Sequence, residues 1–468
     1  MTAPRRALAA NRSAPPPPGE VHPFRFPPFV RRQLAPGVTA YAARLPGVPL
    51  ASVELLAAAG AQHDPAGREG LASLTAALLD EGAAGRDAME IAGSIERLGG
   101  QLGTGADWDI GYVGVLMLSR HLEAGLRLLA EVATAPSFPE AEVERLRRQR
   151  LNELLRRRHQ PGVIADEQLA AIIYEGTVYA HPAHGTEASI TALGRDEILD
   201  FYRRHYRLQT AIVIAVSDLD PEALLAAVGA ALADGVLAAT PAATPAAPDR
   251  PDIRPSRLSG LRLHVVDRPG AAQTELRLGH AAVPRSHPDF IALGFLSTLL
   301  GGKFTSRINL NLRERHGYTY GATSRFAGRL GPGPFVVSAA VATESTGAAA
   351  GEVLAELRRI RDEPVSAEEM EETRSYMLGV FPYTAQSIGD ISRRLADLGI
   401  YGLPDDHHDR WRRAIASLTR EELQAVARRH LQPESSAIVA VGPAELLRPQ
   451  LEPLGDVVVR SLAATAPG

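Results

Sequence analysis

The second half of the chain repeats the first, and that repetition constrains the fold more than any other feature of the sequence. Ile190–His205 (ITALGRDEILDFYRRH) aligns without gaps with Ile415–His430 (IASLTREELQAVARRH), seven of sixteen positions being identical at an offset of 225. Just beyond, AIVIAV from Ala211 meets AIVAV from Ala437. Upstream, EVERLRRQRLNEL from Glu142 meets EMEETRSYMLGVF from Glu369 at an offset of 227. Ordered matches at near-constant spacing indicate duplication of one folding unit.

Each half has the same grammar. Alternating strand patterns come first, VTAYAARL and LASVELLAAAG in one half, LRLHVVDR and QTELRLGHAA in the other. A long apolar helix follows in each, GLASLTAALLDEG and DFIALGFLSTLLGG, then further strands, charged amphipathic helices and a short apolar strand. Strands and helices that are grouped rather than strictly alternating predict an α+β fold with two duplicated domains. Each is expected to be a mostly antiparallel sheet with helices packed on one face. Five prolines between Pro241 and Pro255 forbid a continuous helix or central strand there. The expected division is a disordered segment 1–23, an N-terminal domain 24–232, a Pro/Ala-rich linker 233–258 and a C-terminal domain 259–462.

Composition narrows the function. A net charge of −4 leaves no basic field for phosphate backbones, so nucleic acid is not an expected partner. The absence of cysteine removes disulfides, thiolate zinc sites and a cysteine nucleophile. The basic, proline-rich start lacks the apolar core of a secretory signal, and no run suits a transmembrane helix. A cytoplasmic protein without membrane contact is expected. The apolar stretch Ala223–Ala233 is too short to span a bilayer and predicts a buried helix.

A duplicated α+β unit of this size resembles the pitrilysin/insulinase-type zinc peptidases and the related mitochondrial processing peptidases, over roughly Phe24–Leu462. That resemblance implies that each chain forms half of a clamshell. It also implies an inverted zinc motif, H-x-x-E-H, on the first long helix. Here Gly70-Leu71-Ala72 leads into Ser73, so the motif positions fall on Ser73, Ala76 and Ala77. Both histidines and the glutamate are gone. Glu153 stands where the third ligand is expected, but one carboxylate cannot hold a metal that needs three protein ligands.

No other cluster replaces the lost site. His181, His184 and Glu187 lie in a loop with Pro182 and Gly185, and His407 and His408 are adjacent, so neither set presents a common face. Trp108 and Trp411 are expected to be partly buried aromatics, and the arginine-rich helix Arg145–His159 (RLRRQRLNELLRRRH) to have a solvated face. No metal is therefore expected in this chain.

The motif that survives is Asn311–Gly321, NLRERHGYTYG. It is similar to the family's helix ending in Leu-Arg-Glu-x-x-Gly followed by a strand with tyrosine, preceded here by Gly301, Gly302 and Ser306-Arg307. His316 departs from the usual basic or polar residue. Arg313 and Tyr320, seven residues apart, match the pair that reaches a zinc site across the family's chamber. Arginine is a permanent planar fork for a carbonyl or carboxylate, and a tyrosine hydroxyl can donate to an oxyanion. Strand alternation predicts Tyr318 and Tyr320 on one face, with Thr319 opposite. The expected role is that of a non-catalytic subunit that binds peptide through Arg313, Tyr318 and Tyr320. A homologous H-x-x-E-H subunit would then supply the zinc in a heterodimer. The alternative is a structural scaffold, for which Arg313 and Tyr320 are dispensable. A third reading is a self-sufficient peptidase with unusual ligands.

Overall fold

The computed structural model describes residues 24–233 and 251–461. The expected disordered segment 1–23, most of the linker and Leu462 lie outside the described residues.

The first half contributes strands β1 (Phe29–Ala35), β2 (Val38–Arg44), β3 (Leu50–Ala57), the short hairpin β4 (Gly82–Ala83) and β5 (Arg86–Asp87), β6 (Gln101–Ala106), β7 (Gly111–Leu118) and β8 (Ile212–Ser217). The second contributes β9 (Arg262–Asp267), β10 (Gln273–Ala281), β11 (Thr319–Phe326), β12 (Pro334–Ala342), β13 (Ala437–Gly442) and β14 (Val457–Ser461). They form two six-stranded sheets, ordered β1-β2-β8-β3-β7-β6 and β11-β12-β10-β13-β9-β14. Reversing the second order superposes the repeat: β2, β8, β3, β7 and β6 correspond to β9, β13, β10, β12 and β11, with every pairing direction kept. Most pairings are antiparallel, as the sequence predicts. The sixth strand breaks the symmetry. β1 pairs antiparallel with β2 as a hairpin, whereas β14 reaches β9 from the chain's far end and runs parallel.

Each half packs its own helices on one face of its sheet. In the first half, Leu74, Leu78, Leu79, Leu129 and Val132 are buried against Val53, Val113 and Val213. The helix Pro221–Leu232 buries Leu224, Leu225, Val228 and Leu232, as its apolar run predicts. The apolar helix expected over Gly70–Gly82 is shorter than its pattern suggests and ends at Ala77, because Leu78 and Leu79 turn into the core and the chain then pairs as β4. Its counterpart, Phe290–Ser297, continues as π-helix to Gly302.

The other face of each sheet is covered by the opposite half. The helix Pro161–Ile173 places Ile164, Ala165, Leu169 and Ile172 against Val336, Val439 and Val441 of the second sheet. Reciprocally, Ile388–Ile400 places Ile391, Leu395 and Leu398 against Tyr41, Leu56, Ile214 and Val216 of the first. This exchange accounts for the unbroken apolar runs at β8 and β13, since strands buried on both faces have no solvent side to mark with polar residues. The β11–β12 loop crosses the same interface. Arg329 lies over Trp108, Tyr179 and Tyr174, with its guanidinium carbon 4.6, 4.5 and 5.4 Å from the ring centres. Asp109 accepts from the Leu330 amide at 3.0 Å, and the Tyr174 hydroxyl donates to the Pro332 carbonyl at 2.8 Å.

His407 and His408 belong to this interface. His408 packs on Phe26 of the first half, 4.2 Å between ring centres, while His407 Nε2 lies 3.1 Å from Arg285. Burial, with Arg394 and Arg285 nearby, lowers His408 to about 3 and His407 to about 4, from an ordinary 6.5.

Two predictions follow from the exchanged helices and the buried histidines. Leu395→Ala, at a fully buried position, is expected to cost about 2–5 kcal/mol and to destabilise both halves as one transition, read by urea unfolding with probes in each half. Between pH 6.5 and about 4 the unfolded chain binds protons at His407 and His408 that the folded chain does not. Their contribution is thus complete above 6.5 and lost as pH falls through that window. His408→Phe should therefore lose less stability than the parent between about pH 7.5 and about pH 5, as measured by urea midpoints.

Candidate functional site

Asp64 organises the first of the two regions that bear on function. Its buried carboxylate accepts from the amides of Gly70 (2.7 Å) and Ala72 (2.8 Å) at the start of the helix Leu71–Ala77. Burial raises its pKa to about 7, against the lowering effect of those two amides. The helix so fixed carries Ser73, Ala76 and Ala77. Ala76 is fully buried, and Ser73 faces the helix Glu140–Arg157. The loop carrying His184 closes over it. A Cβ at Gly185, where φ is +81°, would stand 2.3 Å from the Glu69 carbonyl, so only glycine permits this approach.

An arginine fills the centre of this arrangement. Arg150 Nη1 donates to Ser73 Oγ at 2.9 Å and lies 3.2 Å from His184 Nδ1, while its Nε is 3.2 Å from Glu153 Oε2. Burial lowers the Arg150 pKa, and Glu153 opposes the effect. The donor set does not fit zinc: two positions end in methyl groups, the serine accepts from a guanidinium, and the carboxylate is paired with it. The arginine-rich helix thus has a solvated face, as expected, but Arg150 itself points inward.

The remaining histidines do not supply a substitute. His181 Nδ1 lies 3.1 Å from the Pro182 carbonyl and Glu187 pairs with Arg158, so the loop trio is not brought together. Among the described residues one trio, His287, Asp289 and His430, has its donor atoms within 4.8 Å of one another. Those atoms are already engaged. Asp289 takes contacts from His430 Nε2 at 2.7 Å and Arg429 at 3.2 Å, and its amide donates to His287 Nδ1 at 3.1 Å. The His287–His430 contact has a counterpart in the first half, where His63 stacks on His205, so the pairing follows the duplication.

The second region is the surviving motif. A π-helical stretch, Leu310–Arg315, is followed by Gly317, whose φ of +66° is a left-handed turn that glycine adopts freely. Arg313 lies over the ring of Phe304, 4.3 Å from its centre, and its Nε is 3.4 Å from Glu314. Tyr320 is 88% exposed on β11, an outer strand of its sheet. Tyr318 is not on the same face. It precedes the strand, packs partly buried against the core and stacks on His316 at 4.9 Å.

Tyr318 leaves the Gly317 turn ahead of the strand, and a bulge follows Thr319. Thr319 opposes Val341 and Ala322 opposes Ala339, so β11 carries one extra residue and simple alternation fails. Thr319 Oγ1 donates to the Ala340 carbonyl at 2.6 Å, and Asn309 Oδ1 accepts from the Ala322 amide at 2.7 Å. Arg307 anchors the same helix by two bonds to Glu369, at 2.7 and 3.0 Å. Sequence reasoning missed Arg150 and Asn309. Arg150 could have been flagged by its place one helical turn before Glu153; Asn309 gave no comparable signal.

Comparison with known proteins agrees with this architecture. Residues 41–187 match the family described as insulinase (peptidase family M16), and residues 192–377 match that described as the peptidase M16 inactive domain. An uncharacterized zinc protease of Streptomyces coelicolor is 26% identical over 417 residues, covering 88% of this chain and 90% of its own. One from Mycobacterium tuberculosis is 27% identical over 424 residues, covering 88% and 93%. The crystal structure of a peptidase M16 inactive domain from Pseudomonas fluorescens superposes with a TM-score of 0.81 at 28% identity, covering 89% of this chain and 98% of that one. A protease from Helicobacter pylori shares the fold, with a TM-score of 0.80 at 20% identity over 89% of this chain and all of its own. Matched in both halves and over the whole fold, the chain belongs to the insulinase-type (M16) peptidase family.

Proposed function

We propose that this chain is the non-catalytic subunit of a heterodimeric zinc endopeptidase, acting on peptides or unfolded polypeptides. The observation that carries this reading is the contrast between its two regions. Ser73, Ala76 and Ala77 offer no ligand set, while Arg313 and Tyr320 sit on a braced helix–bulge junction with the tyrosine almost fully exposed. A side chain this large and this exposed contributes little to the stability of its own sheet. Its placement makes sense beside a second surface.

The partner would be a chain of the same fold that carries H-x-x-E-H and holds the zinc. Peptide would add as a strand along a sheet edge of that catalytic half. From this chain, the Tyr320 hydroxyl donates to the oxygen that becomes negative as the peptide carbonyl is attacked. The Arg313 guanidinium binds a neighbouring substrate carbonyl or carboxylate. Tyr318 acts behind them, its ring supporting the turn rather than touching peptide. Among the described residues no helix is long and apolar enough to cross a membrane, which is compatible with a cytoplasmic complex.

The test is reconstitution with an H-x-x-E-H chain of the same family. Each chain alone should be inactive and the mixture active. Tyr320→Phe should lower turnover by about 10²–10³-fold with the complex still assembled by size-exclusion chromatography. Arg313→Ala should also lower turnover without dissociating the complex. If both variants retain full turnover in an assembled complex, the chain is a scaffold. Asn309→Ala removes the acceptor for the Ala322 amide and is expected to cost about 1–3 kcal/mol, seen as a lower urea midpoint, with turnover falling as the bulge loosens.

A further inference from the structure

We propose that Arg150 takes the place of the metal in this chain. Its guanidinium acts as a built-in organic cation, so restoring the three lost motif side chains would not by itself restore metal binding. The inference rests on the alignment of Ser73, Ala76, Ala77 and Glu153 with the ligand motif. It does not depend on the heterodimer, and the isolated chain suffices to test it.

Position is the first argument. The guanidinium bridges two ligand positions at once, donating to Ser73 Oγ at 2.9 Å and approaching Glu153 Oε2 to 3.2 Å. His184 closes a third side, with Nδ1 at 3.2 Å and its carbonyl oxygen at 3.4 Å from Nη1. A cation thus already stands between the groups that a metal would join.

Enclosure is the second. The Arg150 side chain is 11% exposed, and the glycine contact at Gly185 holds the covering loop down on the helix. An arginine on a solvated helix face could swing aside for an incoming ion; one packed and bonded on three sides cannot do so without opening the loop.

Charge is the third. Glu153 is the one anionic ligand retained, and it is paired with the guanidinium. A divalent ion placed beside Arg150 would meet a like charge in a poorly solvated site, where the repulsion is only weakly screened. Loss of the ligands and gain of this arginine are therefore two separate barriers to metal.

The experiment compares Ser73→His/Ala76→Glu/Ala77→His with the same triple variant carrying Arg150→Leu as well. Zinc retained after dialysis is measured by elemental analysis, and affinity by competition with a chromogenic chelator. The triple variant is expected to retain no stoichiometric zinc. The quadruple variant should retain about one ion per chain and gain at least about 100-fold in affinity over the triple. Circular dichroism and thermal melting establish folding. If Arg150→Leu unfolds the chain, Arg150→Gln takes its place, because it keeps a polar side chain beside His184 and Glu153 while removing the charge. The proposal is overturned if the triple variant binds zinc as tightly as the quadruple, or if a folded quadruple variant binds none.

Discussion

Strands β8 and β13 lie inside their sheets with apolar side chains on both faces, and neither half can cover both faces with its own helices. Each therefore takes a helix from the other: Ile388–Ile400 on the first sheet, Pro161–Ile173 on the second. Apolar surface left in water on either sheet would forfeit roughly 25 cal/mol for each square ångström. The halves are thus bound by the same force that folds each of them. Cation–ring and hydrogen-bond contacts add direction to this apolar contact. Arg329 sits among three aromatic rings and beside Asp109, which fixes the β11–β12 loop against the first half.

That constraint places the functional motif. β11 is at the outer end of the second sheet, and its far end forms the loop that crosses the interface. The near end carries Tyr320 at a bulge held by Asn309 and Thr319. Tyr320 alternates outward from the buried Thr319, and the extra residue at Tyr320–Gly321 brings Ala322 back into the core. The degenerate region relies on comparable bracing. Asp64 holds the helix start, Gly185 admits the loop, and Arg150 fills the space between. One region presents a side chain outward and the other draws one inward.

Much of this was legible in the residues. The duplication showed because helix starts such as Gly194–Glu197 and Thr419–Glu422 recur in both halves, where the backbone needs the same capping bonds. The helix-to-strand junction showed in the Leu-Arg-Glu-x-x-Gly pattern, although its π-helical form did not. Other features left weaker traces. The unbroken apolar runs at β8 and β13 announce burial on both faces, yet nothing in them says which half supplies the cover. The pairing of Tyr318 with Tyr320 failed because the strand begins only at Thr319, so its alternation does not reach back to Tyr318 beside the Gly317 turn.

The chain by itself determined the repeated unit, its α+β character, the loss of both motif histidines and the survival of Arg313 and Tyr320. The repeat and its α+β character follow from local rules of periodicity and capping, which act over a few neighbouring positions; the lost and surviving motif residues follow from the resemblance to the family's motifs. Tertiary structure alone decided that helices cross between halves, that Tyr320 is presented while Tyr318 is withdrawn, and that Arg150 turns inward to Ser73. The reason is separation: Ser73 and Arg150 are joined by one hydrogen bond across 77 positions of chain. A helical arginine has the same local preferences whether its guanidinium ends in water or in a site, so only the folded contact distinguishes the two.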